Sequence, residues 1–212
     1  VHGLTEAEVN LGVALELARL LRARGAQVLL TRETDRDFLI PADSSLRSDL
    51  AERVALANAF RPDLFVSIHH NADAHGAHDV NETQVYFQLG DDGPAVDAAA
   101  DVHRFLTRNL GIGTSRLVPG NFAVLRGCES PALLTESSYI TYPPTEKRLA
   151  HEEARLIEAE ALYLGIAAFF SRRAPVIEDF RAWTPQPPPA DSIFATGFPR
   201  LRTLHHTVSK PP

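Results

Sequence analysis

His69, Glu136 and Glu6 are the residues of this 212-residue chain whose types and placement best suit chemistry. His69 ends the stretch DLFVSIHHNA at 63–72, where Leu64, Phe65, Val66 and Ile68 form a short apolar run after Pro62. That is the pattern of a buried strand. A strand that delivers an imidazole at its carboxyl end puts it where open α/β sheets keep their ligands. Glu136 ends a second apolar run, PALLT, and a carboxylate there must be paired or functional, because burying it alone is costly. Glu6 lies in the first turn of a predicted helix. A His and a Glu suit zinc by type, and a further unligated Glu beside the metal would be a general base for water. Metal-activated hydrolysis is the chemistry these three permit, provided the fold brings them together.

Plainer readings stand beside that one. An acid at a helix N-terminus is stabilising in any protein, so Glu6 has an explanation without function. His69 divides between a ligand and a satisfied structural histidine. His70, His75 and His78 occupy a polar stretch and read as solvent-facing, and His103, His151, His205 and His206 read as surface residues. Cys128, the single cysteine, reads as an inert thiol; alone it excludes an intramolecular disulfide and a cysteine-based zinc knuckle. Arg126 has a bland role available as the partner of an acid.

The elements that must position these residues alternate between helix and strand. The spacing of Val9, Val13, Leu17, Leu20 and Leu21 predicts a helix over 5–24, capped by Thr5 and stopped by Gly25. A strand is expected at 27–31 (QVLLT), a polar loop over 32–45, a helix over 46–59, and then the strand that ends at His69. A further strand at 83–89 precedes a helix over 94–110 with Pro94 in its first turn. Residues 115–121 read as loop, 122–125 as a short strand, and 132–135 as a buried strand. One long helix is expected over 145–172. The class is therefore α/β. From Ala174 the composition shifts: eight of the fifteen prolines fall there, which marks a linker or the start of an incomplete further domain over 173–212.

Bulk properties narrow the function. The formal net charge is −6, and no basic run exceeds two residues, so nucleic acid is a poor partner. No stretch approaches the apolar length that spans a bilayer, and no signal peptide is visible. The chain contains no methionine, so Val1 is not an initiator and the polypeptide reads as a processed or truncated product.

The motifs LTEAEVNL (4–11), QVLLTRETD (27–35), LAERVALANAFRPDLFVSIHHNA (50–72), TQVYF (83–87), VLR (124–126) and PALLTESSYI (131–140) follow one another in order. Together they resemble the zinc-dependent N-acetylmuramoyl-L-alanine amidases of the amidase-3 type, from Val1 to about Arg172. The resemblance implies a three-layer α/β domain over 1–172, with a mostly buried mixed sheet flanked by helices and the family's first core strand missing. It implies cleavage of the amide bond between N-acetylmuramic acid and the L-alanine of the peptidoglycan stem peptide. It implies zinc held by two histidines and a glutamate, with a second glutamate for catalysis. Residue by residue, Glu6 matches the ligand glutamate, His69 the second ligand histidine and Glu136 the catalytic glutamate. His70 stands where the family varies and receives no role. The family's first ligand histidine sits in a Gly-His-Gly-Gly turn upstream of anything in this chain, so the third ligand is expected before Val1, and His2 is not assigned to it. SSYITY replaces the usual run after the catalytic glutamate, which alters the expected substrate groove. Asn71 and Arg126 are candidates for substrate contact. Peptidoglycan as partner implies export to the periplasm or cell wall; an activator or regulatory protein is not identified by the sequence. Two alternatives remain open: a catalytically silent peptidoglycan-binding module, because one ligand is absent, and a zinc carboxypeptidase acting on cell-wall peptides.

Overall fold

The computed structural model describes residues 3–35, 46–74 and 78–173. His2, most of the expected loop before residue 46, His75 and the proline-rich tail with His205 and His206 lie outside the described residues. In order, the elements are α1 (Glu6–Arg22), α2 (Leu46–Phe60), β1 (Phe65–Asn71), β2 (Thr83–Gln88), α3 (Pro94–Leu110), β3 (Ser115–Gly120), α4 (Ala123–Gly127), β4 (Ala132–Tyr139), α5 (Pro143–Leu149) and α6 (Glu152–Arg173).

The four described strands form one sheet in the order β1-β4-β2-β3. β1 runs parallel to β4, β4 antiparallel to β2, and β2 parallel to β3, so the sheet is mixed as expected. Alternation along the strands divides the core in two. Val66, Ile68, Val85 and Leu133 face α1, α3 and α6, packing with Val9, Val13, Leu106, Leu162 and Phe169. Phe65, Leu134 and Tyr86 face the other way, against Val124 and Leu125 of α4 and Leu50 and Val54 of α2. The architecture is the expected three-layer α/β fold.

α1 begins as the sequence requires. Thr5 accepts a hydrogen bond from the Glu8 backbone N–H at 3.2 Å, and the Glu8 carboxylate accepts one from the Thr5 N–H at 3.1 Å. This reciprocal capping box fixes the first turn, and with it the position of Glu6.

Five expectations about elements are corrected. Residues 27–31, expected as a strand, make no ladder with the described strands. Among the described strands β1 is the edge on that side, and a cavity of about 1060 Å³, lined by Val28, Leu30, Leu17 and Leu64 among others, adjoins this segment. Without a neighbour at strand spacing, no ladder forms. Residues 115–120, expected as loop, are the edge strand β3, where Pro119 is tolerated because an edge residue need not donate to a ladder. Residues 122–125, expected as a short strand, instead lead into and join the helical turn α4 (Ala123–Gly127); a short apolar run does not reveal its own period. β4 continues past Glu136 to Tyr139. The expected long last helix is broken at Ala150 and His151 into α5 and α6. Leu149 and Ala154 are both buried, yet on one unbroken helix they would point about 140° apart; the break turns both inward.

Candidate active site

Because β1 and β4 are parallel, they finish at the same edge of the sheet. Their register pairs His69 with Glu136, and the antiparallel β2 pairs Gln84 with the same Glu136. The capped N-terminus of α1 lies at that edge and brings Glu6 to both histidines of β1. Glu6 Oε1 is 2.9 Å from His69 Nδ1, accepts from Asn10 Nδ2 at 2.9 Å, and accepts from the His70 backbone N–H at 3.3 Å. The structure thus brings Glu6, His69 and Glu136 together from three distant parts of the chain. The other ring nitrogen of His69 meets Ser67 Oγ at 3.1 Å.

The two carboxylates have opposite electrostatics. Burial works to raise the pKa of Glu6, but hydrogen bonds from His69 and Asn10, the His69 charge and the His70 N–H hold it down to about 2. Burial pushes Glu136 up to about 7 against the pull of the His69 charge; the nearby Glu6 adds to the push and His70 opposes it. Glu136 Oε2 is also a buried oxygen with no hydrogen-bond partner in the structure. A carboxyl group poised near neutrality beside an ionised one is the arrangement that separates acid-base work from ligand or electrostatic work.

Glu6 and His69 suit zinc by donor type and by proximity, and each side chain keeps 41% of its surface exposed, so the corner is open to an ion and to solvent. They make two donors. Among the described residues, no group of three His, Cys, Asp or Glu is assembled to hold a metal.

His70, expected to face solvent, is 1% exposed. Successive residues of a strand point to opposite faces, so His70 points away from His69, towards α6. There its Nε2 meets Glu158 Oε2 at 2.9 Å, while its Nδ1 meets Asn10 Oδ1 at 2.8 Å. Burial disfavours its charged form, but the Glu158 charge and hydrogen bond, with Glu6 and Glu136, raise its pKa above the ordinary value. Asn10 and Glu158 were not foreseen. Both had a signal: Asn10 lies one helical turn after Glu6, and Glu158 lies on the apolar face of α6, where a carboxylate needs a partner.

The remaining candidates divide. Asn71 follows the irregularity in the β1–β4 register and donates from Nδ2 to Gln84 Oε1 at 3.3 Å, beside the registered Gln84–Glu136 pair. Arg126 is exposed on α4 and turns to Asn121, bonding its Oδ1 at 2.9 Å; this replaces the acid partner that its type suggested. His78 and His151 are exposed as expected, whereas His103 is half-buried with an unpartnered Nε2.

Residues 1–168 match the profile of the amidase-3 family, described as N-acetylmuramoyl-L-alanine amidase. The chain belongs to this family. Among related proteins, the uncharacterised protein YqiI of Bacillus subtilis is 30% identical over 172 residues, spanning 81% of this chain and 77% of YqiI. The N-acetylmuramoyl-L-alanine amidase LytC of the same organism is 28% identical over 169 residues, 80% of this chain but only 32% of LytC. The chain therefore spans about a third of that relative's length. The solved catalytic domain of CwlV, an N-acetylmuramoyl-L-alanine amidase from Paenibacillus polymyxa, superposes with a TM-score of 0.68 at 28% identity, covering 80% of this chain and 87% of that domain. The CwlV domain shares the α/β architecture described above, and the chain is by family a hydrolase of the cell-wall amidase type.

Proposed function

We propose that this amidase hydrolyses the amide bond between N-acetylmuramic acid and the L-alanine of the peptidoglycan stem peptide, with zinc as cofactor. The observation that carries the reading is the meeting of Glu6, His69 and the unpartnered Glu136 at one sheet edge, in a chain of this family. Glu6 and His69 would hold the zinc, with a further histidine as the remaining protein ligand. When bound, zinc supplies Lewis acidity at the scissile carbonyl and makes a water more acidic. Glu136, poised at about 7, takes a proton from the attacking water and returns it to the departing amine of L-alanine. Glu6, ionised well below neutrality, stays a carboxylate throughout. Asn71 and Arg126 are proposed to contact substrate at the rim. Such a substrate requires export, to the periplasm or cell wall; among the described residues no helix is long and apolar enough to cross a membrane.

The test is Glu136→Gln in the full-length protein acting on purified peptidoglycan. Zinc content is expected to stay at the parent level while release of stem peptides falls about 10²–10⁴-fold. An unchanged rate would overturn the role of Glu136, and release of terminal amino acids in place of whole stem peptides would identify a carboxypeptidase.

A second reading, a catalytically silent peptidoglycan-binding module, is favoured by one observation: the described residues supply two donors and no group of three. Zinc analysis separates the two. A chain that binds peptidoglycan without zinc and without turnover is the silent module.

A further inference from the structure

The hydrogen bonds around His70 have a direction. Its ring nitrogens face Glu158 Oε2 and Asn10 Oδ1, at 2.9 and 2.8 Å. The Asn10 oxygen is an acceptor, so the Nδ1 that faces it donates. Asn10 is thereby turned with its oxygen to the imidazole and its Nδ2 to Glu6 Oε1, at 2.9 Å. The His70 backbone N–H adds a second donor to the same oxygen at 3.3 Å. An Asn10 amide free of His70 would be able to present either end to Glu6, and its oxygen end would repel the carboxylate.

Glu158 makes this arrangement expensive. It comes from α6, is 1% exposed, and meets a histidine side chain of which nothing is exposed. A buried polar pair of this kind costs desolvation and is commonly no more stable than an apolar pair of the same volume. The Glu136 chemistry proposed above uses neither residue, so filling space and supplying the reacting proton both leave the pair unexplained.

We propose that His70, clamped by Glu158, is a positioning residue that orients Asn10 and through it holds the Glu6 carboxylate ready for zinc. The proposal rests on the reading of Glu6 as a metal ligand. Partners one step behind a ligand carry about 10–100-fold in metal affinity, which sets the expected effect.

The experiment measures zinc affinity of the full-length protein by competition with a chromogenic chelator, alongside melting in EDTA. His70→Leu alone would leave the Glu158 charge buried without a partner. The double variant His70→Leu/Glu158→Leu removes both polar groups and keeps apolar contact, so its melting in EDTA is expected to stay near the parent's. Its zinc affinity is expected to fall about 10–100-fold, with a changed visible spectrum after cobalt substitution. Asn10→Ala should cause a similar loss by itself and little further loss in the double-variant background, because the same contact is already gone. Parent-like affinity in the double variant, or losses that simply add, would overturn the proposal. Should the double variant melt far below the parent, Asn10→Ala decides alone: parent-like affinity there overturns it equally. If the parent itself takes up no zinc, the metal reading falls and takes this inference with it.

Discussion

His69 and Glu136 are register partners across the parallel pair β1–β4, so the proposed ligand and the proposed base are fixed relative to each other by backbone hydrogen bonds. Glu6 reaches them from a capped helix end. The corner is therefore built on rigid elements, which holds functional groups more accurately than loops do.

In the metal-free chain the two carboxylates make stability depend on pH in opposite senses. Glu6 is held at about 2 against an ordinary 4.5; its contribution is complete above about 4.5 and is lost as pH falls towards 2. Glu136 is held at about 7, so the folded state favours its protonated form, and stability falls as pH rises from about 4.5 to about 7. Glu136→Gln removes the second dependence. In urea melts with EDTA, the advantage of that variant over the parent should widen across this window by about 3 kcal/mol. A constant difference would contradict the raised pKa.

Two glycines in helices should respond oppositely to alanine. A Cβ at Gly165 of α6 would lie 2.5 Å from Val102 Cα and 2.9 Å from its backbone nitrogen. Backbone cannot yield, so Gly165→Ala is expected to separate α3 from α6 and cost about 2 kcal/mol. At Gly12 of α1 the nearest atoms belong to the flexible Arg155 side chain, at 3.1 Å. Gly12→Ala should gain about 0.5–1 kcal/mol from helix propensity. Chemical denaturation of both variants checks the contrast.

Asp101 is 4% exposed on α3 and is held by two arginines. Arg172 of α6 bonds both of its oxygens, with Nη1–Oδ1 at 2.7 Å, and Arg104 bonds Oδ1 at 3.0 Å. Arg172→Ala leaves the buried carboxylate to Arg104, whose side chain is 62% exposed. Arg172→Ala is expected to cost more than Arg104→Ala, because Arg172 meets both carboxylate oxygens and ties α6 to α3, whereas Arg104 meets one oxygen from the same helix. Equal costs, measured by denaturation, would show that the link between α3 and α6 is not what Arg172 supplies.

Burial pushes the Cys128 thiol up to about 11. The thiolate is the reactive form, so labelling by a disulfide reagent at about pH 8 should run roughly a hundredfold slower than for an exposed cysteine. Unfolding in urea should restore the ordinary rate. Fast labelling of the folded chain would contradict the burial.

Much of this was legible in local pattern. The helical spacing of Val9, Val13 and Leu17 and the Thr5–Glu8 box predict α1 closely, and Pro94 and Gly111 bracket α3 at its observed ends. The misreadings share a cause. SRLVPG, FAVL and QVLLT are too short to declare a period, and whether each is strand, turn or unpaired chain depends on which ladder edges lie nearby. β3 had a free edge of β2 to join, whereas β2 was already flanked by β4 and β3, leaving Val124 and Leu125 to bury themselves from a helical turn.

The site divides in the same way. The sequence by itself determined that two apolar runs lead into His69 and Glu136, that Glu6 opens a capped helix, and that the motifs are those of a cell-wall amidase. These are properties of contiguous residues, written in their order. Only the tertiary structure decided that the three meet, because parallel pairing and helix docking join positions that share no local signal. It also decided the fate of His70. Strand alternation already pointed it away from His69, but whether that side was water or protein depended on α6, which begins more than eighty residues later and places Glu158 against the ring.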